Sequence, residues 1–452
     1  MGIFKSYDIR AVWGRDWDAR MAYRIGFHLP RLLGARRLVI GRDARLSSPE
    51  LRDALSDGIC DAGCDVADIG PCTTPLLYFA TAHHGFDGSA MITASHNPPE
   101  YNGLKVSRAQ AVPVGYGTGL EVLERMVTEE PRPASRRGQP SSLDPLPEYF
   151  LHLRRFASDS SGVTLVADCS DGMAGPELMA ATAPTRARVI PMHDVPDGRF
   201  PHHPPNPLEE SNLAMLRERV RAEKADLGVC FDGDADRAVF VDELGSAVSP
   251  DLITAVLARR FFSPGDLRAE PGSAVLYDVR SSRAVVEEIE RLGGRPVMCR
   301  VGHSHAKKLL RETGGIMGGE LAGHYYFRDN YFCDSGMIAL LVLLAVRSRE
   351  AAPLSRIVGG IRRYHSSGEM NFVIRDREEV MRRLRDDYRG GRLTELDGIR
   401  VDYPSWWYNV RPSNTEPYLR LVVEAASAEE LRMRTAELRA KIEGGPLRPQ
   451  AE

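Results

Sequence analysis

Three aspartates alternate along a short polar stretch whose residue types could bind a hard cation. The stretch "DGDADR" carries Asp232, Asp234 and Asp236 between the apolar runs "LGVC" and "AVFV". A solvated turn is the simpler interpretation, but such a turn normally carries one aspartate rather than three. Magnesium fits this pattern, because it binds a few carboxylates and completes its octahedron with phosphate oxygens and water. The sequence therefore predicts a magnesium site.

A calcium loop of the EF-hand type is the competing interpretation of the same stretch. Glu243 falls at the twelfth position of such a loop, counted from Asp232. Arg237, however, stands at the sixth position, where that loop needs glycine, and the flanking runs are typical of strands rather than helices. Magnesium remains the favoured ion.

Ser95 lies in "TASHNP", where an apolar strand gives way to a polar loop. The surrounding residues do not form the "G-x-S-x-G" motif of a hydrolase nucleophile, and we expect His96, adjacent in sequence, to be poorly placed as its base. A phosphorylated serine would instead supply an anionic ligand to a neighbouring metal ion, which would activate phosphoryl transfer. The alternative is a polar turn without chemistry.

Lys105 is a candidate acid or base because lysine is scarce in this chain. Only six lysines occur among the 59 lysine and arginine residues, and Lys105 follows Ser95 by ten positions. Arginine cannot release its proton near neutral pH, whereas lysine can when its environment lowers its pKa. An ordinary surface lysine is the alternative interpretation.

A second polar stretch, "RPSNTEP" followed by "YLR", combines residues that bind phosphate. Small hydroxyl and amide side chains, backbone N–H groups and guanidinium groups together form phosphate cradles. A helix N-cap would explain the Ser-Asn-Thr part but not the two arginines. The predicted phosphate-binding residues are Arg411, Ser413, Asn414, Thr415 and Arg420.

Strand-like and helix-like runs alternate along most of the chain, which predicts α/β layers with largely parallel strands. Ligands of such sheets bind beyond the carboxyl ends of the strands, where these polar loops fall. A linker is predicted at 129–147, which is rich in proline, serine and arginine. The part after about residue 361 is typical of a smaller α+β domain.

Length and composition narrow the function classes. A chain of 452 residues should divide into about three or four domains. A net charge of -3 favours neither nucleic-acid nor membrane binding.

No segment of the sequence predicts membrane insertion. The longest apolar run, 337–346, is too short to cross a bilayer. The N-terminal "MGIFKS" matches a myristoylation pattern, but such short patterns arise often by chance. The seven cysteines contain no C-x-x-C pair and indicate reduced thiols in the cytoplasm.

Together these motifs closely resemble the α-D-phosphohexomutase superfamily, within it the bacterial phosphomannomutase/phosphoglucomutase group. The resemblance runs nearly end to end and implies four domains around a central cleft, three sharing one α/β topology and a smaller C-terminal α+β domain. The implied domains are 1–146, 147–247, 248–360 and 361–452. The matching stretches are "YDIR", "GRDARLSS", "TASHNPPEYNGLK", "NPLEESNL", "DGDADR", "VGHS", "GELAGH" and "RPSNTEP".

The resemblance also implies a role for each matching residue. Ser95 is phosphorylated in the resting enzyme and binds Mg²⁺ with the three aspartates, while Arg237 lies beside that site. Lys105, His303 and His324 are acid or base candidates. Tyr7 and Arg10 border the cleft, Glu320 binds sugar hydroxyls, and the residues of the "RPSNTEP" stretch with Arg420 hold the phosphate that is not transferred.

The implied reaction interconverts mannose 1-phosphate and mannose 6-phosphate through a hexose 1,6-bisphosphate, with glucose phosphates as second substrates. Phosphoglucomutase or phosphoglucosamine mutase is the alternative main activity, followed by a Mg²⁺-dependent phosphatase and a catalytically idle binding protein. We expect a monomer or weak dimer whose partners are sugar phosphates. The sequence departs from the family at Leu321 and Ala322, where "GEMSGH" is usual, and at Ala11, which replaces a glycine.

Overall fold

The computed structural model of the protein describes residues 2–265, 267–413 and 418–444, which form four consecutive units, each with its own sheet. The first three sheets contain both parallel and antiparallel strand pairs. The fourth contains antiparallel pairs throughout its described strands. The predicted fold class, three α/β units followed by a smaller C-terminal unit, is confirmed.

The first unit has a seven-stranded sheet of order β1-β5-β4-β2-β3-β7, with β6 paired to β5. Strand β7 pairs in parallel with β3, so part of the predicted linker at 129–147 is an edge strand, a position that tolerates its proline. The elements are β1 (Ile9–Val12), α1 (Ala19–Leu33), β2 (Arg37–Arg42), α2 (Ser48–Asp61), β3 (Asp65–Pro71), α3 (Thr74–His83), β4 (Gly88–Ile92), β5 (Tyr101–Arg108), β6 (Val112–Val114), α4 (Leu120–Met126) and β7 (Pro140–Ser142).

The second unit has a five-stranded sheet of order β12-β11-β10-β8-β9. Its central strand β10 is buried along its whole length, as expected of a strand covered by helices on both faces. The elements are α5 (Leu146–Arg154), β8 (Thr164–Asp168), α6 (Ala174–Thr182), β9 (Arg188–Met192), α7 (Ala214–Glu223), β10 (Leu227–Phe231), β11 (Ala238–Asp242) and β12 (Ala247–Val248).

The third unit has a five-stranded sheet of order β14-β13-β15-β16-β17. Its elements are α8 (Pro250–Phe261), β13 (Ala274–Asp278), α9 (Arg283–Arg291), β14 (Arg295–Cys299), α10 (His303–Thr313), β15 (Met317–Gly319), β16 (Tyr325–Phe327), β17 (Cys333–Asp334), α11 (Gly336–Glu350) and α12 (Leu354–Gly359). The apolar run 337–346 lies in α11 and is buried in the core, as predicted. Across the described residues, none of the helices combines the length and apolar character that a bilayer crossing requires.

The three units share one four-strand arrangement: β3-β2-β4-β5, β9-β8-β10-β11 and β14-β13-β15-β16. In each, the first three strands run parallel and the third turns back through a hairpin into an antiparallel fourth. The turns after β4, β10 and β15 are therefore equivalent positions. They contain the polar motifs beginning at Thr93, Asp232 and Glu320.

The C-terminal unit is built on one long hairpin, in which β22 and β23 pair from Trp406 to Pro412. Its sheet has the order β18-β23-β22-β21-β20, with β19 also paired to β23. The elements are β18 (His365–Ser366), β19 (Met370–Val373), α13 (Arg377–Asp387), β20 (Arg392–Thr394), β21 (Ile399–Asp402), β22 (Trp406–Pro412), β23 (Tyr418–Ala425) and α14 (Ala428–Glu443).

Candidate active site

The equivalent hairpin turns of the first three units meet one another. A Cβ placed on Gly233 would lie only 2.8 Å from the carbonyl oxygen of Ser95, so glycine is required where the first two turns touch. Arg237 and His324 form an isolated antiparallel bridge between the second and third turns. The repeated topology therefore brings together motifs that are far apart in the sequence.

Ser95 is buried in a strained turn that directs its hydroxyl at the second unit. Its φ is 51°, in the left-handed region that non-glycine residues seldom adopt, and its N–H donates to Thr93 Oγ1 at 2.8 Å. The Ser95 hydroxyl donates to Asp232 Oδ2 at 2.6 Å. Ser95 is thus placed against the predicted metal site, as the sequence suggested.

His96 lies closer to Ser95 than we expected from their adjacency in the sequence. Its Nδ1 is 3.3 Å from Ser95 Oγ, because the left-handed turn at Ser95 brings the two side chains together. Desolvation, together with the positive charges of Arg237 and Arg10, holds the pKa of His96 well below its ordinary value. A neutral imidazole is therefore within hydrogen-bond reach of the serine hydroxyl.

Arg45 holds the serine turn in shape, a role that sequence reasoning missed. The guanidinium is fully buried and donates to the carbonyl oxygens of Ser95 at 2.9 Å and Asn97 at 2.6 Å. It also donates to Asp43 Oδ2 at 3.0 Å. The sequence signal was the charged run "RDAR" at 42–45, which begins at the last residue of the apolar strand β2.

The aspartate cluster, defined as Asp232, Asp234 and Asp236, is fully buried at the end of β10. One carboxylate oxygen from each lies within 4.8 Å of the others. Within the described chain, Asp234 Oδ1 and Asp236 Oδ1 accept no hydrogen bond. Buried carboxylate oxygens without donors need a cation nearby, so this donor set fits a hard divalent metal ion.

Lys105 supplies positive charge inside the aspartate cluster. It lies on β5, and its Nζ donates to Asp234 Oδ2 at 2.6 Å and also to Asp236 Oδ2. Burial disfavours the ammonium, but the carboxylates outweigh burial and raise the pKa of Lys105 above its ordinary value. Lys105 is therefore protonated here and carries the proton that an acid would donate, although its pKa is raised and not lowered as the sequence argument required. It is not the surface lysine of the alternative interpretation.

The carboxyl groups of the cluster differ in pKa. Burial and the neighbouring carboxylates hold the pKa of Asp232 well above its ordinary range. Burial would also raise the pKa of Asp236, but Lys105, His324 and Arg237 together outweigh burial and lower it. Glu243, the twelfth residue of the calcium alternative, instead accepts hydrogen bonds from Ser355. The EF-hand interpretation fails because Glu243 binds α12 and strands flank the turn.

Three predicted cleft residues surround this centre. Arg237 donates its backbone N–H to Asp232 Oδ1 at 3.1 Å, with its Nε 3.8 Å from Asp232 Oδ2. Arg10 donates to Asn97 Oδ1 at 2.8 Å in the serine turn. Tyr7 donates to the carbonyl oxygen of Val301 at 3.0 Å, which ties the first unit to the third.

The two candidate histidines lie with ring centroids 5.9 Å apart. His324 Nδ1 is 2.9 Å from Asp334 Oδ2, and Asp334 Oδ1 is 2.7 Å from the fully buried Lys307 Nζ. Desolvation and Lys307 lower the pKa of His303 well below its ordinary value, so this imidazole is neutral. Sequence reasoning missed Asp334 and Lys307. The scarcity of lysine in this chain, which pointed to Lys105, could also have pointed to Lys307.

Glu320 begins the third turn and is buried. Its carboxylate accepts the Gly302 N–H at 2.6 Å and the Tyr326 hydroxyl at 2.5 Å. Each oxygen retains a second lone pair, so these contacts orient the carboxylate without exhausting its acceptors.

The structure shows why Leu321 and Ala11 are tolerated, and nothing in it explains Ala322. Leu321 donates its backbone N–H to Asp278 Oδ2 at 2.8 Å, a contact that does not depend on its side chain. Ala322 lies half-buried in the same turn. Ala11 lies within strand β1, opposite Asn102, and extended backbone of this kind requires no glycine.

The predicted phosphate cradle lies where β22 meets β23. Arg411 and Arg420 are opposite each other in the strand register, and Ser413 donates its N–H to the Tyr418 carbonyl oxygen at 2.8 Å. Asn414 and Thr415 lie outside the described residues. The described elements on both sides are strands, which does not favour the helix-cap alternative.

Both arginines contact Glu369, which sequence reasoning did not select. Arg411 Nη2 donates to Glu369 Oε1 at 2.9 Å, and Arg420 Nη1 donates to Glu369 Oε2 at 3.3 Å. Arg280, from the third unit, donates to Glu369 Oε1 at 3.4 Å. We call Arg280, Arg411 and Arg420 with Glu369 the arginine cluster.

Comparisons with known proteins agree along the whole chain. The phosphoglucomutase/phosphomannomutase domain families I, II, III and C-terminal match residues 1–132, 147–245, 249–364 and 369–441. A phosphomannomutase of Escherichia coli is 37% identical, covering 97% of each chain. A phosphomannomutase/phosphoglucomutase of Pseudomonas aeruginosa is 37% identical, covering 95% of this chain and 93% of its own.

A solved structure gives the same result. The X-ray structure of a phosphoglucomutase/phosphomannomutase family protein from Burkholderia thailandensis superposes with a TM-score of 0.88 at 31% identity, covering 100% of this chain and 98% of its own. The domain order, the identity over nearly full length and the shared fold agree with the motifs found in the sequence. The chain therefore belongs to the phosphoglucomutase/phosphomannomutase family of the α-D-phosphohexomutase superfamily.

Proposed function

We propose that the protein is a phosphohexomutase that interconverts mannose 1-phosphate and mannose 6-phosphate, with glucose phosphates as second substrates. The observation that carries this proposal is the buried Ser95 hydroxyl, which donates to Asp232 at 2.6 Å in the same aspartate cluster that binds the ammonium of Lys105 through Asp234. That combination suits transfer of an anionic group to and from a serine oxygen. The names of the Escherichia coli and Pseudomonas aeruginosa relatives support the choice of sugar.

Asp232, Asp234, Asp236 and Ser95 would hold one Mg²⁺, since hard carboxylate oxygens are the ligands this ion prefers. When bound, Mg²⁺ neutralises charge on phosphate oxygens and so favours phosphoryl transfer. Arg237 and Arg10 add further positive charge, because both lie within contact of the turns that carry Ser95 and Asp232. Tyr7 joins the first unit to the third, because its hydroxyl donates to the Val301 carbonyl oxygen.

Phosphorylated Ser95 gives its phosphoryl group to the free hydroxyl of a hexose monophosphate. The bond between Ser95 Oγ and phosphorus breaks, a bond from the sugar oxygen to phosphorus forms, and Ser95 Oγ takes up a proton. Protonated Lys105 is the proposed acid for that step. Neutral His303 or the Asp334-supported His324 accepts the proton of the sugar hydroxyl.

The resulting hexose 1,6-bisphosphate then turns around, and Ser95 takes back the other phosphoryl group by the reverse step. Throughout, Glu320 binds sugar hydroxyls. The phosphate not being transferred is held by Arg411, Ser413, Asn414, Thr415 and Arg420. Because the bisphosphate carries two phosphates at once, one chain needs both a transfer site for the first and a separate phosphate cradle for the second.

We also propose domain boundaries at 1–146, 147–247, 248–360 and 361–452. These limits keep the first, third and fourth sheets each within one domain, while the limit at 247/248 falls inside β12, the edge strand of the second sheet. They place β7 in the first domain, although its composition resembles a linker. The motifs for transfer, metal binding, sugar recognition and phosphate binding then fall one to each domain.

A coupled assay tests the activity. Purified protein is given mannose 1-phosphate or glucose 1-phosphate with Mg²⁺ and catalytic hexose 1,6-bisphosphate, and the 6-phosphates are measured. Formation of both, with mannose preferred, is the expected result. Release of inorganic phosphate without isomerised sugar would instead identify a phosphatase, and neither product would indicate a binding protein.

Phosphorylation of Ser95 is a separate prediction. Intact-mass and peptide analysis should find one phosphate on Ser95 after incubation with glucose 1,6-bisphosphate, and none in Ser95→Ala. Ser89 offers a matched control, because it is also buried in the first sheet but stands near the start of β4, whereas Ser95 follows the end of that strand. A phosphate-free Ser95 in active enzyme would contradict the proposed mechanism.

A further inference from the structure

Glu369 places a carboxylate among guanidinium groups that the proposed function assigns to substrate phosphate. Its two oxygens meet Arg411 at 2.9 Å and Arg420 at 3.3 Å, one oxygen to each guanidinium. Arg411 and Arg420 face each other across the β22–β23 hairpin. A carboxylate is thus held by two guanidinium groups in the manner in which such groups bind a phosphate.

The charge of Glu369 persists under working conditions. Burial alone would raise the pKa of this carboxyl, but Arg280, Arg411 and Arg420 outweigh burial and lower it to about 2. Three guanidinium groups and one carboxylate leave an excess of positive charge. A phosphate with about two negative charges and three acceptor oxygens is therefore a stronger ligand for Arg411 and Arg420 than the single carboxylate.

The third guanidinium links this arrangement to another unit. Arg280 follows β13 in the third unit, and its side chain is fixed by Asp278, which accepts from its Nη2 at 2.7 Å. Its Nη1 reaches Glu369 Oε1 at 3.4 Å. When Glu369 leaves Arg411 and Arg420, it can remain paired with Arg280, so the carboxylate has a second place to bind.

We propose that Glu369 is an internal anion that occupies the phosphate-binding guanidinium groups between substrates and competes with each phosphate for them. The inference rests on the proposed function of Arg411 and Arg420. This competition weakens the binding of any one phosphate to Arg411 and Arg420. The bisphosphate can therefore release its first phosphate from the two arginines and bind them again by its second. Glu369 is accordingly a positioning residue for substrate exchange and does not touch the reacting atoms.

The test compares Glu369→Gln with Glu424→Gln in the full-length enzyme. Glu424 is a matched control, because it is a buried carboxylate at the same boundary and accepts from the Arg283 N–H and the Trp407 indole. Steady-state kinetics with mannose 1-phosphate and calorimetric titration with inorganic phosphate are measured for both. Glu369→Gln should bind phosphate about three- to tenfold more tightly and lower KM and kcat together.

Other outcomes separate the possible failures. Weaker phosphate binding and a raised KM in Glu369→Gln would overturn the inference, because Glu369 would then only join the two units. Equal changes of phosphate affinity, KM and kcat in Glu424→Gln would also overturn the inference. If Glu369→Gln does not fold, Glu369→Asp, which retracts the carboxylate, should shift affinity in the same direction. Unchanged phosphate affinity in Arg411→Ala would overturn the proposed phosphate role of the arginines as well, whatever Glu369→Gln does.

Discussion

The aspartate cluster and the arginine cluster are electrostatic opposites. In the first, two of the three buried carboxylates, Asp234 and Asp236, contact the ammonium of Lys105, and Asp232 lies beside them. In the second, three guanidinium groups surround the carboxylate of Glu369. In each, an internal ion of the opposite sign limits the repulsion among like charges that are held close together.

The clusters differ in how rigidly they are built. All three aspartates lie on one hairpin turn and are fully buried, whereas the arginine cluster joins two units and its Arg420 and Glu369 side chains are 21% exposed. The proposed phosphoryl transfer requires fixed distances between the reacting groups. The proposed alternating binding of two phosphates requires a site that can release one and bind the other. The position of each cluster, within one unit or between two, is consistent with its proposed role.

The largest effect should come from removing a charge in the aspartate cluster. Asp234→Asn should lower kcat by about 10² to 10³-fold, because the lost interaction stabilises charge in the transition state. Circular dichroism and thermal melting should show an intact fold. Exposed Asp194→Asn is the control, and near-normal turnover in Asp234→Asn would refute the metal assignment.

Lys105→Met tests whether an internal cation competes with Mg²⁺ as Glu369 is proposed to compete with phosphate. Removing one partner of a buried ion pair should lower the free energy of unfolding in EDTA by about 3 kcal/mol. Mg²⁺ should then bind more tightly than in the wild type and restore more stability. Urea denaturation with and without Mg²⁺ measures both quantities.

The exposed Lys308→Met is the control for that experiment, because its nearest carboxylate lies 3.8 Å away on the same helix. Turnover should fall in Lys105→Met, since the proposed acid is lost. Unchanged or weaker Mg²⁺ binding would show that Lys105 supports the cluster without competing, and the parallel with Glu369 would fail.

The smallest effects should come from the turn after β15, which begins at Glu320 and is proposed to bind the sugar hydroxyls. This turn belongs to neither cluster. Glu320→Ala should lower kcat/KM by about 100-fold, since a charge-assisted contact is lost. Tyr326→Phe, which removes one donor to Glu320 but keeps the carboxylate, should cost much less. Normal turnover of both sugars in Glu320→Ala would remove the recognition role.

Ala322→Ser restores the hydroxyl that the family usually has in this turn. It should raise kcat/KM by no more than about tenfold for either hexose, because a neutral hydrogen bond contributes about 0.5 to 1.5 kcal/mol. Steady-state assays with mannose and glucose 1-phosphates measure this. A larger gain would show that the serine, rather than Glu320, carries recognition.

The sequence by itself determined the fold class and selected the candidate residues that the structure brings together around the aspartate cluster. Ser95, Lys105 and the aspartates stand in short motifs next to strands, and parallel α/β sheets present such loops at one edge. The buried helix at 337–346 also followed from local composition. These features are local in the chain, so residue type and spacing are enough to predict them.

Only the tertiary structure decided which distant groups support that centre. Arg45 binds carbonyl oxygens some 50 residues away, as the contact with Ser95 shows. Asp334 joins Lys307 to His324, and Glu369 meets Arg280 from another unit. These buried charges are neutralised by partners that are distant in the sequence, so each pair is determined by how elements pack in three dimensions rather than by spacing along the chain. For the same reason β7 resembled a linker until its pairing with β3 was seen.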